Sequence, residues 1–428
     1  MDIPYIHSLF LKSTGVSTDT RKIQDQSIFV AIRGDRFDAN TFAVEALEKG
    51  ASHVIIDNEA YYIDERTILV KDSLTALQEL AKFHRNYLKL PIIALTGSNG
   101  KTTTKELMNV VLSKKYKTKA TIGNLNNHIG VPLTLLSFDR NTEIGIVEMG
   151  ANHKKEIEFL CEIAQPDYGY ITNFGKAHLE GFGGVEGVIE GKSEMYQYLL
   201  KNDKLAFINL EDPIQVEKSK ALKHYSFGIN KGKADVTISE IKANPFVEIQ
   251  FDSIQIKTHL IGLYNANNVN AALTIGQFFE VEKAVIKAAL ESYIPENNRS
   301  QLLTKGSNEI ILDAYNANPS SMLVAITNFL QLEKGNKIMI LGDMFELGNE
   351  SHKEHTALVN SLINESNVQC YFVGKAFYEC QIGKDNFHFY DSFDSFSAGL
   401  ERVNFENNTI LIKGSRGMAL ERTLEYIK

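Results

Sequence analysis

Residues 92 to 112 most narrowly restrict what this chain can fold into. An apolar run, Ile92-Ile93-Ala94-Leu95, passes into Thr96-Gly97-Ser98-Asn99-Gly100 and then into Lys101-Thr102-Thr103-Thr104, which opens a segment with Leu107, Val110 and Val111 on one face. Strand, glycine turn and helix in that order make the context in which backbone N–H groups and a helix N-terminus converge on an anion. Gly97 and Gly100 permit close backbone approach to phosphates, with Ser98, Asn99 and Thr103 in the same loop. Lys101 has the reach for the β- and γ-phosphate positions, and the Thr102 hydroxyl is suited to Mg²⁺. The spacing departs from G-x-x-x-x-G-K-T, because Leu95 stands where the first glycine is expected. The plain alternative is a glycine turn capping a helix beside an incidental lysine. The coincidence of strand, turn, G-K-T and helix favours ATP binding.

The strand–helix alternation recurs along the 428 residues, a length sufficient for about three domains. Residues 1–84 read as a small α/β module, with a strand around Ser27–Ala31 and an amphipathic helix from Phe42 to Lys49. Residues 85–294 read as a central parallel-sheet P-loop ATPase domain. Its strands are expected at Ile92–Leu95, Ile144–Glu148, Tyr168–Thr172 and Leu205–Ile208, and Val236–Leu260 reads as an antiparallel side sheet. Residues 295–428 repeat the pattern at Ile310–Asp313, Lys337–Leu341, Cys370–Val373 and Thr409–Ile412, as a Rossmann-like domain would. The predicted fold class is therefore α/β in three domains.

Composition removes several function classes. A formal net charge of −8 gives no basic footprint for nucleic acid, so anionic ligands must be met locally. Three cysteines, Cys161, Cys370 and Cys380, lack C-x-x-C spacing and predict neither a disulfide framework nor a zinc knuckle. The opening MDIPYIHSLF has no basic n-region, and no run approaches a membrane span, so a cytoplasmic protein without membrane insertion is expected.

The segment T-G-S-N-G-K-T-T-T resembles the ATP loop of the Mur ligase family, which makes amide bonds from a carboxylate and an amine at the expense of ATP. The resemblance extends over nearly the whole chain. It runs through Thr121-Ile122-Gly123-Asn124-Leu125-Asn126-Asn127-His128-Ile129-Gly130-Val131-Pro132 and Glu148-Met149-Gly150-Ala151-Asn152-His153. Further on it takes in Asp313-Ala314-Tyr315-Asn316-Ala317-Asn318-Pro319, Leu341-Gly342-Asp343-Met344 and Lys413-Gly414-Ser415-Arg416-Gly417. These segments are most similar to the branch that adds D-alanyl-D-alanine to a UDP-N-acetylmuramoyl (UDP-MurNAc) tripeptide. The alternatives are a sibling ligase adding another amino acid, and an inactive nucleotide-binding module that acts through partners.

The resemblance assigns roles that residue chemistry leaves open. Glu148, at a strand end, matches a glutamate that holds Mg²⁺, although strand-end acids are common on ordinary surfaces. His178 matches the family's second metal ligand, in a site expected to take two Mg²⁺ ions, where a lone histidine is more often a plain core or surface residue. Asn173 would lie close to the same cluster or serve as an ordinary loop asparagine. Lys192, on a helix whose Val188, Met195 and Leu199 face inward, matches a lysine carboxylated at N6 by CO₂. As an unmodified residue it reads as a solvated helix lysine. Lys101, Lys192 and His178 form the implied catalytic set, and Thr102, Glu148, His178 and Lys192 the implied metal set.

Asn265 and Asn268, three apart on one helical face, match a pair that meets adenine, against the simpler reading of N-capping. Tyr264 replaces a more usual histidine. Arg299 and Asp313 match groups that close over ATP, an arginine fork for phosphate oxygens and a carboxylate for ribose hydroxyls. Each could equally be a surface residue or an interdomain ion pair. Ser17, Thr18, Asp19 and Arg21, with Asn126 and Asn127, match residues that hold the UDP substrate. Ala39-Asn40 departs from the Gly-His common in that branch. The family pattern implies that the first domain takes the UDP substrate, while the third binds the incoming dipeptide and closes over ATP, in a monomer.

Overall fold

Period-two burial in the strands decides where the layers lie. Along Ile92–Thr96 every residue is buried, but Ile92 and Ala94 pack into one cluster and Ile93 and Leu95 into another. Successive side chains of a strand point to opposite faces, so a strand apolar on both faces must be covered on both. The helices Ser73–Leu88, Gly130–Leu136, Glu156–Ala164 and Val185–Lys201 cover one face of the central sheet, and Lys101–Leu112, Tyr264–Phe278 and Lys283–Ser292 the other. Burying each large aliphatic side chain contributes about 1.5–3 kcal/mol.

The computed structural model describes residues 2–296, 298–333, 335–400 and 405–427. Among them the central sheet runs in the order Ile254–Ile261, Phe246–Phe251, Val236–Ala243, Lys223–Ile229, Leu205–Asn209, Tyr168–Ile171, Ile92–Thr96, Ile144–Glu148 and Thr118–Ala120. Pairing is parallel from Thr118–Ala120 through Val236–Ala243 and antiparallel for the last two strands. The antiparallel strands expected between Val236 and Leu260 thus continue the same sheet at its edge. A four-stranded parallel sheet lies N-terminal to it, spanning Val16–Ser17, Ile28–Val30, His53–Ile56 and Thr67–Leu69. The C-terminal sheet orders Gln301–Lys305, Asn308–Asp313, Thr409–Lys413, Lys337–Gly342, Val368–Val373 and Phe387–Tyr390, with only the first antiparallel to its neighbour. Among the described residues no helix is long and apolar enough to cross a membrane, and the three cysteines are free and buried.

Topology then places the ligand-binding end. From Ile92–Thr96 the chain crosses to Thr118–Ala120, fills in Ile144–Glu148 between them, and next appears at Tyr168–Ile171 on the other side of the first strand. Connections that part to opposite sides leave a crevice at the carboxyl ends of the strands, where ligands of such sheets bind.

The N-terminal helix Ile3–Phe10 is tied to the central body through two buried histidines. His84 Nε2 lies 2.9 Å from the Phe138 carbonyl, which only accepts, so Nε2 carries the proton and Nδ1 is the acceptor. His7 Nε2, 3.0 Å from His84 Nδ1, must then donate. Burial, followed by the His84 charge, pushes the His7 pKa down from 6.5 to about 4, and burial likewise lowers His84 against the opposing pull of the Phe138 carbonyl. Both rings are thus held neutral. Below about pH 6.5 the unfolded chain takes up protons that the folded one refuses, so this part of the stability is present above pH 6.5 and lost as pH falls toward 4. We expect the melting temperature of a His7→Leu/His84→Leu variant to fall less over that interval than that of the natural protein. Parallel pH profiles would show that the pair does not titrate with unfolding.

Candidate functional site

The loop after Ile92–Thr96 is held by the end of the adjacent strand Tyr168–Ile171. Asn99 N–H donates to Asn173 Oδ1 (3.1 Å), while Asn173 Nδ2 (2.9 Å) and Thr172 Oγ1 (2.6 Å) both donate to the Asn99 carbonyl. Ser98 N–H reaches the Asn173 carbonyl (3.1 Å), and Ser98 Oγ the Gly175 carbonyl (2.7 Å). This packing explains the glycines. Gly97 has φ +141°, and a Cβ there would lie 2.0 Å from Thr172 Oγ1; Gly100 has φ +78°, with Asn268 Oδ1 at 2.6 Å from a Cβ. Neither place admits a side chain.

Helix Lys101–Leu112 begins directly behind Gly100, without a side-chain cap, so its first N–H groups are left for an anion. The Lys101 ammonium folds back onto the Gly97 carbonyl (2.7 Å). Burial lowers its pKa from the usual lysine value, Glu148 opposes that shift, and Arg299 adds to it. Thr102 Oγ1 donates to Glu148 Oε2 at 2.9 Å, and Asn126 Nδ2 donates to Oε1 at 2.8 Å. Glu148 is therefore a buried carboxylate at the end of its strand rather than a solvent-facing acid.

These groups border one cleft of about 750 Å³, walled by both the central and the C-terminal sheet's loops. Of the sequence-predicted residues it gathers Ser98, Asn99, Gly100, Lys101, Thr102, Thr103, Asn126, Asn127, Glu148, His178, Asn265, Asn268, Arg299 and Asp313. Asn265 and Asn268 do not cap their helix. Asn268 Nδ2 donates to Asn265 Oδ1 (2.9 Å), Asn268 Oδ1 accepts from Thr104 (3.0 Å), and Asn265 Nδ2 donates to the Ile261 carbonyl (2.8 Å). Asp313 is engaged inside the C-terminal unit, accepting from Lys413 Nζ (2.5 Å) and from Ser300 N–H (3.1 Å). Asn127 accepts from the N–H groups of Ile129 and Gly130.

Other residues are kept apart. Lys192 is 1% exposed and does not line the cleft: its Nζ donates to the Ala151 carbonyl (3.1 Å) and sits over the Phe182 ring. The reading of Lys192 as a solvated helix lysine fails, because that face of Val185–Lys201 is covered. Burial, then the Lys101 charge, hold its pKa well below the ordinary lysine value. The implied metal set is thus only partly assembled: Thr102 meets Glu148, whereas the His178 ring is bonded to Glu346 of the C-terminal unit. Among the described residues no group of three or more His, Cys, Asp or Glu is arranged to hold a metal ion.

Ser17, Thr18, Asp19 and Arg21 lie outside the cleft lining. Ser17 Oγ donates to the Asp19 carbonyl, and Asp19 caps the turn Thr20–Lys22 and pairs with Arg21. Asn40 is fully buried, bridging Asp38 to Asp57 at the end of strand His53–Ile56, so it staples two segments of the first domain together instead of facing a ligand.

Sequence reasoning passed over several residues that complete the site. Thr104 fixes Asn268. Asn318, which caps helix Pro319–Leu330, donates to Asn99 Oδ1 across the cleft (2.7 Å). Lys413 neutralises Asp313, and Glu346 engages His178. Thr104, Asn318 and Lys413 stand inside motif segments already singled out. What was missing was their partner, which only the fold supplies.

Family models match most of the chain: "Mur ligase family, catalytic domain" over residues 12–85, "Mur ligase middle domain" over 95–276 and "Mur ligase, glutamate ligase domain" over 298–416. Among curated proteins, UDP-N-acetylmuramoyl-tripeptide–D-alanyl-D-alanine ligase of Bacillus subtilis is 35% identical, covering 96% of this chain and 92% of its own. The Escherichia coli protein of the same name is 32% identical, with 96% and 93% covered. The crystal structure I of MurF from Acinetobacter baumannii superposes with a TM-score of 0.86 at 31% identity, covering 96% of this chain and 92% of that one. MurF ligase from Thermotoga maritima in complex with ADP gives 0.84 at 27% identity, with 98% and 97% covered.

If the strand-end brace shapes the loop, Asn173→Ala removes two of its hydrogen bonds, one to the Asn99 N–H and one to the Asn99 carbonyl. At about 0.5–1.5 kcal/mol each, ADP binding should weaken roughly tenfold. Calorimetry on a variant with unchanged circular dichroism reads this, and an unchanged Kd would contradict the brace.

Proposed function

This chain belongs to the Mur ligase family, and we propose that it uses ATP to join D-alanyl-D-alanine to a UDP-MurNAc tripeptide, releasing ADP and phosphate. The reading is carried by the Lys101–Thr102–Glu148 loop set in a cleft that both halves of the molecule wall, together with full-length relatives bearing that ligase name. In the division of labour we infer, residues 1–84 take the UDP substrate, 85–294 hold ATP, and 295–428 bind the dipeptide and close over the nucleotide. The chain acts as a cytoplasmic monomer.

A carboxylate does not acylate an amine at neutral pH. Its oxygen first takes the γ-phosphoryl group as the bond to ADP breaks, giving an acyl phosphate. The dipeptide amine then attacks the carbonyl carbon, the C–N bond forms, and phosphate leaves with the C–O electrons. Phosphoryl transfer needs positioning and charge neutralisation more than covalent help. The loop N–H groups would cradle the phosphates, Lys101 would exchange the Gly97 carbonyl for a phosphate oxygen, and Arg299 would offer its fork from the opposite wall. Asn265 and Asn268 would meet the adenine edge with what hydrogen-bonding capacity their mutual bond leaves, and Asp313 the ribose. Ser17, Thr18, Asp19, Arg21, Asn126 and Asn127 would hold the UDP substrate.

The donor chemistry suits Mg²⁺ at Thr102 and Glu148, two hard oxygen ligands 2.9 Å apart. Bound there, the ion would neutralise charge on the phosphates. For a second ion His178 would have to release Glu346, and Lys192 would have to be carboxylated at N6. Only a neutral amine combines with CO₂, and the burial that depresses the Lys192 pKa favours that form.

Phosphate release with ATP, Mg²⁺, UDP-MurNAc tripeptides and a panel of dipeptides, followed by product mass, tests the reading. D-Alanyl-D-alanine should give the pentapeptide; turnover only with single amino acids would indicate a sibling activity. Lys101→Ala should abolish turnover in a folded protein, and near-normal turnover would remove that residue from the reaction. Lys192→Ala should lose most activity, with partial rescue by acetate, and CO₂ depletion should slow the natural enzyme. A fully active Lys192→Ala contradicts the carboxylated lysine.

A further inference from the structure

We infer that Tyr315 is a positioning residue for the reaction: its ring is the platform on which the Arg299 guanidinium is laid flat at the wall of the nucleotide cleft. The inference rests on the reading above that Arg299 serves the ATP phosphates, and it adds the group that makes that service specific.

Arg299 reaches the cleft through an unusual stretch of backbone. Its neighbours on both sides, Asn298 (φ +57°) and Ser300 (φ +50°), adopt the left-handed conformation although neither is glycine. Such residues persist only where surrounding contacts hold them. Three contacts hold this stretch from both domains: Tyr315 N–H donates to the Asn298 carbonyl (3.2 Å), Ser300 N–H donates to Asp313 Oδ1 (3.1 Å), and Ser300 Oγ shares a 2.6 Å hydrogen bond with the half-buried Tyr264 hydroxyl. The kink throws the Arg299 side chain over the Tyr315 ring, with Cζ 3.7 Å from its centroid. Arg299 and Tyr315 both line the cleft.

The mode of attachment suits a phosphate ligand. A carboxylate would hold an arginine by consuming the N–H edge that an anion needs. A ring face holds it through the π-cloud and leaves the fork of donors at the edge. Asp313, a carboxylate lining the same cleft, is taken by the buried Lys413 ammonium at 2.5 Å. The same ring has a second guanidinium within reach, that of Arg416 at 5.5 Å, which is paired with Glu421. An arginine carries about 2 kcal/mol of rotamer entropy, and stacking removes much of it before the nucleotide arrives, which is how a residue acting through another strengthens binding.

Calorimetric titration of the full chain with ADP, and with ATP plus Mg²⁺, tests this without depending on the acceptor substrate. Tyr315→Leu should weaken ATP binding about tenfold, in line with a half-buried cation–π contact, while Tyr315→Phe, which keeps the ring, stays within about twofold. In turnover assays the loss should fall on KM for ATP. Because Tyr315 acts through Arg299, the Arg299→Ala/Tyr315→Leu double variant should bind no more weakly than Arg299→Ala alone. Normal binding by Tyr315→Leu with impaired Arg299→Ala overturns the platform role and leaves Arg299 in place. Additive losses, or failure of Tyr315→Phe to restore binding, also overturn it. If Arg299→Ala itself binds normally, the assignment of Arg299 to ATP falls, and the platform with it.

Discussion

The short contact between the Asn99 peptide unit and the Thr172–Asn173 strand end is the constraint on which the rest of the site depends. A glycine loop alone is an entropic liability, since glycine loses the most freedom on folding. Here three hydrogen bonds from the neighbouring strand fix the middle of that loop, and parallel pairing of Tyr168–Ile171 with Ile92–Thr96 sets their register. Asn99 then becomes a junction, because its side chain also receives Asn318 from the C-terminal unit. The nucleotide loop is thereby built into both the sheet below it and the domain above it.

Charge is organised around the same junction. Lys101 and Arg299 bring positive charge to a cleft in a chain that is acidic overall, while Glu148 and Asp313 are each occupied by local donors. Buried charges persist when paired or hydrogen-bonded, and those pairings offset the cost of placing carboxylates in the cleft wall. Two of the contacts that carry the third domain onto the second, the ion pairs of Lys176 with Glu354 and His178 with Glu346, each have one solvent-exposed partner. Surface pairs contribute about 0–1 kcal/mol, so opening the cleft costs little through them, as a site that admits three substrates requires.

Much of the architecture was legible because its signals are local. Alternation and glycine punctuation mark Ile144–Glu148 at its full extent, and other strands to within one or two residues. The loop and its lysine could be read because their chemistry needs only neighbours in sequence. What could not be read depends on partners far along the chain. Lys192 looked like a surface lysine because helix periodicity does not show which face a second layer covers. Asn40, an apparent departure in a ligand segment, proves to be a buried staple whose partner Asp57 lies 17 residues away. Thr104, Asn318 and Glu346 acquire meaning only through contacts of 164, 219 and 168 residues' separation.

The most direct test of the whole account is a crystal structure of the chain with ADP and Mg²⁺. The β-phosphate should lie over the N–H groups of residues 100–103, which the brace leaves open, with Lys101 moved from the Gly97 carbonyl to a phosphate oxygen, the metal on Thr102, and the Thr172–Asn173 brace unchanged. A nucleotide bound away from this loop, or a loop that must leave the strand end to accept it, would contradict the claim that the brace builds the site.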